Sequence, residues 1–151
     1  IKDASSSEFG ICNNSIVGLM TEWKKGNSTE YRSNNDDIGG TMRLGSYKAK
    51  VEKNTLAHSI YDSEIIYERH RHRYEVNREF ETDLNKKGVV FSAFSPDGIL
   101  PEIVEIPDHP WFIGVQFHPE LKSKPFDPHP LFKSFISASL KNSRALNAKK
   151  S

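Results

Sequence analysis

Short apolar runs separated by turn-forming residues organise this chain, and one of them, Trp111 to Phe117, stops against His118-Pro119-Glu120. Its β-branched and aromatic content predicts a strand, which Pro119 ends because it has no backbone donor. Upstream, Ile16, Val17, Leu19 and Met20 predict a short buried strand. Residues 1–15 read as turn-rich, and residues 24–40, dense in Gly, Asn, Ser and Asp, as a surface loop or loose hairpin. From Thr41 the pattern alternates, with Tyr47, Ala49 and Val51 on one strand face. Asn54 or Thr55 is placed to cap a short helix burying Leu56 and Ile60. Ile65 to Val76 is extended in character although crowded with charge, and Phe80 and Leu84 predict another short helix closed by Gly88. Val89–Phe94 and Ile99–Ile106 are strands joined by the turn Ser95-Pro96-Asp97-Gly98. Finally, Leu131, Phe132, Phe135, Ile136 and Leu140 recur at helical spacing, which predicts an amphipathic helix over 129–142 packed on the sheet, followed by a frayed, polar basic tail over 143–151.

At 151 residues, with 36% hydrophobic and 27% charged positions, the chain has the size and balance of one globular domain. Its net charge of +1 gives no electrostatic case for nucleic acid or a membrane surface. No apolar run approaches the roughly 20 residues of a membrane span. The single cysteine, Cys12, has no partner for an internal disulfide, which fits a reducing, cytoplasmic setting. The first residue is Ile1 rather than methionine, a hint that polypeptide precedes it.

Two stretches carry chemistry. In an extended segment His118 and Glu120 point the same way, so the carboxylate can hold the imidazole in one tautomer and leave its other nitrogen free to move a proton. That is half of a nucleophilic triad; the plain alternative is a strand end with two solvated polar side chains. The second stretch, Glu68 to Tyr74 (ERHRHRY), puts Arg69, Arg71 and Arg73 on one face and Glu68, His70, His72 and Tyr74 on the other. Three guanidiniums suit a carboxylate or phosphate, and a solvated face paired to Glu75 and nearby acids is the competing reading. As a metal pair, His70 and His72 lack a third ligand at a motif spacing, so no metal is expected. An RNA contact lacks interleaved stacking aromatics. Cys12 follows Gly10-Ile11 as a nucleophile would, yet no apolar strand precedes it and Asn13-Asn14-Ser15 follow, which favours an ordinary thiol.

Taken together, GGTMRLG (Gly39–Gly45), YERHRHRYEVN (Tyr67–Asn77), SPDG with EIVEIPDHPWF, and QFHPE (Gln116–Glu120) resemble, in this order and spacing, the C-terminal part of the class I glutamine amidotransferase domain of CTP synthases. The resemblance implies an α/β, flavodoxin-like three-layer domain with a central, mostly parallel sheet, incomplete at its N-terminus here and spanning residues 1–142. It implies a Cys-His-Glu triad hydrolysing glutamine, with His118 as the base, Glu120 as its orienting carboxylate, Arg73 pairing with the substrate α-carboxylate and Glu8 receiving the α-ammonium. The family's nucleophile lies in a GICLGMQ segment ahead of the glutamate that Glu8 matches, and Cys12 aligns with a non-catalytic position. ATP, Mg²⁺ and UTP belong to an N-terminal synthetase domain outside this sequence, so no cofactor is expected in this chain. The resemblance also implies a homo-oligomeric whole enzyme, whose partner pieces are that synthetase domain and the first half of the glutaminase domain. Without them the chain is expected to be inactive alone. The alternative is a non-catalytic interaction or regulatory module derived from the same fold.

Overall fold

The computed structural model describes residues 1–10, 13–19, 24–25, 28–29 and 42–148. In chain order the elements are β1 (Ala4–Ser6), a 3-10 turn at Ser7–Phe9, β2 (Asn14–Leu19), β3 (Lys24–Lys25), β4 (Ser28–Thr29), β5 (Arg43–Val51), α1 (Leu56–Tyr61), β6 (Ile65–His72) and β7 (Tyr74–Val76). A 3-10 turn at Arg78–Phe80, α2 (Glu81–Asn85), β8 (Val90–Phe94), β9 (Pro101–Glu105), β10 (Ile113–Val115), a 3-10 turn at Pro119–Leu121 and α3 (Pro130–Ala148) follow. The hairpin expected within residues 24–40 appears as the β3–β4 ladder; Cys12 and the rest of that loop lie outside the described residues.

Five strands form one sheet in the order β10-β9-β8-β5-β6, and β1-β2-β7 form a second. The α/β class holds, but the mostly parallel sheet expected from the sequence is not what the described strands make. Among them only β1 and β2 run parallel, while β2–β7 and every pair of the larger sheet are antiparallel. The connections explain this. The SPDG turn between β8 and β9 closes with Gly98 N–H donating to Ser95 O at 2.8 Å, and such a short link reverses the chain, whereas a parallel crossover needs a dozen or more residues. Beyond β10, Gln116 N–H donates to Glu102 O at 3.0 Å and His118 N–H to Arg69 O at 2.8 Å. One continuous stretch thus bonds to β9 near one edge and to β6 at the other, so the sheet is curled.

Inside the curl sit Ala49, Val51, Ala57, Ile66, Ala93, Ile103, Phe117 and Leu131. Tyr47, expected on the buried face with Ala49 and Val51, is 36% exposed at the sheet's margin. Thr55 caps α1, its Oγ1 accepting from His58 N–H at 3.0 Å, and the Glu105 carboxylate takes the first two N–H groups, of Leu56 and Ala57, at 2.9 and 3.0 Å. The residue this helix buries is Ala57 rather than Leu56.

The last helix departs from expectation twice. It runs to Ala148, where a frayed tail from residue 143 was expected, because Arg144, Ala145, Leu146 and Ala148 are good helix formers and nothing before the end breaks the turn. It also packs mainly by its N-terminal half: Leu131 is buried, Trp111 Nε1 donates to Ser134 Oγ at 2.8 Å, and the Trp111 ring meets Phe135 edge-on. Ile136, Leu140 and Leu146 remain exposed.

Candidate functional site

Phe117 is buried in the core, and the chain then turns sharply, so His118 emerges from a fixed anchor with β-region dihedrals and its backbone N–H tied to β6. Pro119 begins a 3-10 turn, as its fixed φ and missing donor favour. That turn, rather than the extended alternation expected from the sequence, brings Glu120 back to His118: the ring Nδ1 lies 2.7 Å from Glu120 Oε1. The His118 hydrogen bond holds the Glu120 carboxyl below the ordinary range, so it stays an anion. An anionic acceptor on Nδ1 makes Nδ1 the protonated nitrogen and leaves Nε2 as the free base.

Behind His118, β6 divides its side chains as alternation predicts: Arg69 and Arg71 are exposed, while Glu68 and His70 are buried and His72 is half-buried. What alternation does not reveal is what the inward face meets. Arg43, from β5, reaches Glu102 Oε1 at 2.6 Å and Glu75 Oε1 at 3.3 Å, all three buried. Two carboxylates share one guanidinium. Burial, opposed by Arg43 and reinforced by Glu102, pushes Glu75 up to about 7, and burial, opposed by the Arg43 hydrogen bond, raises Glu102 as well. Burial, with help from the charges of Arg43, His72 and His118, drives His70 down to about 3. His72 is lowered too, chiefly by burial.

The histidine pair read as a metal candidate binds itself: His70 Nδ1 and His72 Nε2 are 2.8 Å apart. Among the described residues no group of three or more His, Cys, Asp or Glu side chains is arranged to hold a metal ion.

Arg73 occupies the single-residue bend between β6 and β7, half-buried, with no ion pair or hydrogen bond from its guanidinium among the described residues. Glu8 lies exposed in the 3-10 turn after β1. The small sheet relates the two. Ser6 pairs with Val17 and Val17 with Val76, so Glu8, just past Ser6, and Arg73, just before β7, leave the same end of that sheet. The strands they flank, β1 and β7, are two strand spacings apart, roughly 10 Å. His118 is tied to the larger sheet instead, through the Arg69 carbonyl on β6, four residues ahead of Arg73. His118 and Glu120 are in direct contact, whereas among the described residues neither Arg73 nor Glu8 makes a hydrogen bond or ion pair with them or with each other. The cleft lined by Val76, Glu102, Ile103, Gly114 and Gln116 has none of these four side chains in its wall.

Sequence reasoning missed Arg43 and Glu102 as interior charges, and it gave no role to Lys122 or His129. Arg43 sat inside the GGTMRLG motif, and Glu102 in the strand Pro101–Glu105, where it and Glu105 flank the apolar Ile103 and Val104. An acid within such a strand was the available signal.

The fold and the His–Glu pair define a class, and comparison with known proteins agrees: residues 8–138 match Glutamine amidotransferase class-I, and the chain belongs to that family. It is similar to the CTP synthase of Paramagnetospirillum magneticum, 64% identical over 143 residues covering 95% of this chain and 26% of that protein. It is also similar to the CTP synthase of Rhodospirillum rubrum, 62% identical over 141 residues covering 93% of this chain and 26% of that protein. Among solved structures, the glutaminase domain of Trypanosoma brucei CTPS with bound acivicin superposes with a TM-score of 0.76 at 37% identity, covering 92% of this chain and 51% of that one. The chain thus spans about a quarter of the length of these curated relatives.

Proposed function

We propose that this chain is the acid–base and substrate-anchoring portion of the glutaminase site of a CTP synthase. The observation that carries the reading is the 2.7 Å contact between His118 Nδ1 and Glu120. With Nδ1 occupied, Nε2 accepts the proton of the cysteine thiol of the family's GICLGMQ segment, supplied by another portion of the whole protein, and the thiolate attacks the glutamine side-chain carbonyl. As the tetrahedral adduct collapses, Nε2–H returns the proton to the departing nitrogen and ammonia leaves. A water, deprotonated by the same nitrogen, then cleaves the thioester to give glutamate. Arg73 holds the substrate α-carboxylate and Glu8 its ammonium, the charges a free amino acid requires. Each imidazolium formed along the way faces the Glu120 anion, which lowers its cost.

In the whole protein the ammonia passes to a synthetase domain, where ATP-dependent amination converts UTP to CTP, in a cytoplasmic homo-oligomer. This stretch by itself is expected to turn over no glutamine, because the GICLGMQ segment that carries the family's nucleophile is not among its residues.

The test is His118→Ala in the full-length protein. Glutamine-dependent CTP formation should fall by about 10²–10⁴, while formation from added ammonia continues at the parental rate. Retained glutamine use, or loss of both activities, overturns the reading.

A further inference from the structure

The turn carrying Glu120 has nothing of its own to hold it still. Residues Pro119–Leu121 include no buried side chain, and Glu120 is 58% exposed. Inside the turn, Leu121 N–H donates to His118 O, and Lys122 and Ser123 N–H to Pro119 O, each at 3.1 Å. These bonds shape the turn without placing it against the sheet.

Placement comes from its two ends. At one end His118 N–H donates to Arg69 O at 2.8 Å. At the other, the Lys122 ammonium donates to Tyr67 O at 2.5 Å and lies 3.1 Å from Glu68 Oε1. Three consecutive residues of β6 therefore hold both ends. Glu68 is an unusual anchor, with its side chain 1% exposed and Oε1 also accepting from Tyr61 O–H at 3.1 Å and contacting His129 Nε2 at 3.0 Å. Burial pushes the Glu68 carboxyl up, but hydrogen bonds and charge from His129 and Lys122 outweigh it, and the group is held below the ordinary range. It stays ionised in the interior. His129 sits one residue ahead of α3, so the same carboxylate ties the long helix to β6.

We propose that Lys122, anchored on the buried Glu68–His129 pair, is a positioning residue that sets the Glu120 turn and thereby the aim of the His118 imidazole. This rests on the glutaminase reading above. An exposed hydrogen-bonded pair gains its catalytic value from orientation, and small misplacements cost rate rather than binding. Lys122 itself contacts neither His118 nor Glu120 among the described residues, so its effect must travel through the backbone of the turn.

The experiment is steady-state kinetics of full-length Lys122→Met and Lys122→Arg beside His118→Ala. Methionine keeps the aliphatic stem and removes the donor. Lys122→Met should lower the glutamine-dependent kcat about tenfold, with KM for glutamine within about twofold and ammonia-dependent CTP formation unchanged. Lys122→Arg, which restores a donor to Tyr67 O and Glu68, should recover most of the loss. A kcat within about twofold of the parent, a change confined to KM, an equal loss of ammonia-dependent activity, or no recovery with arginine overturns the clamp. Should His118→Ala still use glutamine, the glutaminase reading fails first; should it be inactive while Lys122→Met is normal, only the clamp fails.

Discussion

Glu75→Gln isolates one term of the buried cluster and exposes a balance that the intact cluster conceals. In the folded protein Glu75 is pushed up to about 7 by burial beside Arg43 and Glu102, against an ordinary value of 4.5. Between those values the folded state holds a proton that the unfolded chain releases, so stability falls as pH rises from 4.5 to about 7. His70 does the opposite: driven from 6.5 to about 3, it is neutral when folded and protonated when unfolded, so stability falls as pH drops through that range. The windows overlap from 4.5 to 6.5 and the two slopes cancel there. Glu102, raised, and His72, lowered, form a second opposed pair. Glutamine mimics the protonated form that Glu75 adopts in this window and can still accept from Arg43, so geometry is kept while one slope vanishes. The free energy of opening β5–β7 should be flat between pH 4.5 and 6.5 in the parent and should rise by about 3 kcal/mol over the same window in Glu75→Gln, two pH units at 1.36 kcal/mol each. Hydrogen exchange read by mass spectrometry on peptides from β5–β7, corrected for the intrinsic pH dependence of exchange, measures it. Parallel profiles for the two proteins would refute the assignment of a proton to Glu75.

Three further outcomes follow from single contacts. Arg73→Ala should raise KM for glutamine roughly tenfold to a hundredfold, the worth of one charge-assisted hydrogen bond, with kcat little changed; an unaltered KM removes Arg73 from the site. Glu105→Ala strips the acceptor from the N-terminus of α1, where it takes two N–H groups, and amide exchange in α1 should accelerate to match a loss of about 1–3 kcal/mol. Leu131→Ala, at a side chain 3% exposed where α3 meets the core, should cost about 2–5 kcal/mol and lower the glutaminase-domain melting transition.

Local patterns made most elements legible. Thr55 as the cap of α1, Gly88 with its left-handed φ of 85° past α2, and the SPDG turn all stand where residue chemistry put them. Each depends only on neighbours a few positions away. Strand direction does not. The mixed pairing of β1-β2-β7 depends on which segments meet across long loops, and nothing in the sequence of β2 specifies a parallel partner on one side and an antiparallel one on the other. The candidate site shows the same division. Proximity of His118 and Glu120 was legible because only Pro119 separates them in sequence, although the turn that joins them was misread as extended. Arg43, Glu75 and Glu102 were not legible as a group, since their meeting depends on the curl of the larger sheet against the bend after β6.

That bend joins the interior to Arg73, and hydrogen-bond polarity fixes how. The Tyr74 carbonyl can only accept, so His72 Nδ1, 3.0 Å away, must carry a proton. A neutral His72 then has a bare Nε2, and His70 Nδ1, 2.8 Å from it, must be the donor. His70 Nε2 is left as a bare acceptor 3.6 Å from Glu102 Oε2, too far for a hydrogen bond as placed. Burial raises the Glu102 carboxyl that faces it. One direction of polarity therefore runs from His70 through His72 to the backbone of β7, immediately after Arg73. The bend that carries Arg73 is thus braced by two imidazoles that burial keeps neutral, and the Arg73 guanidinium has no ion pair or hydrogen bond among the described residues.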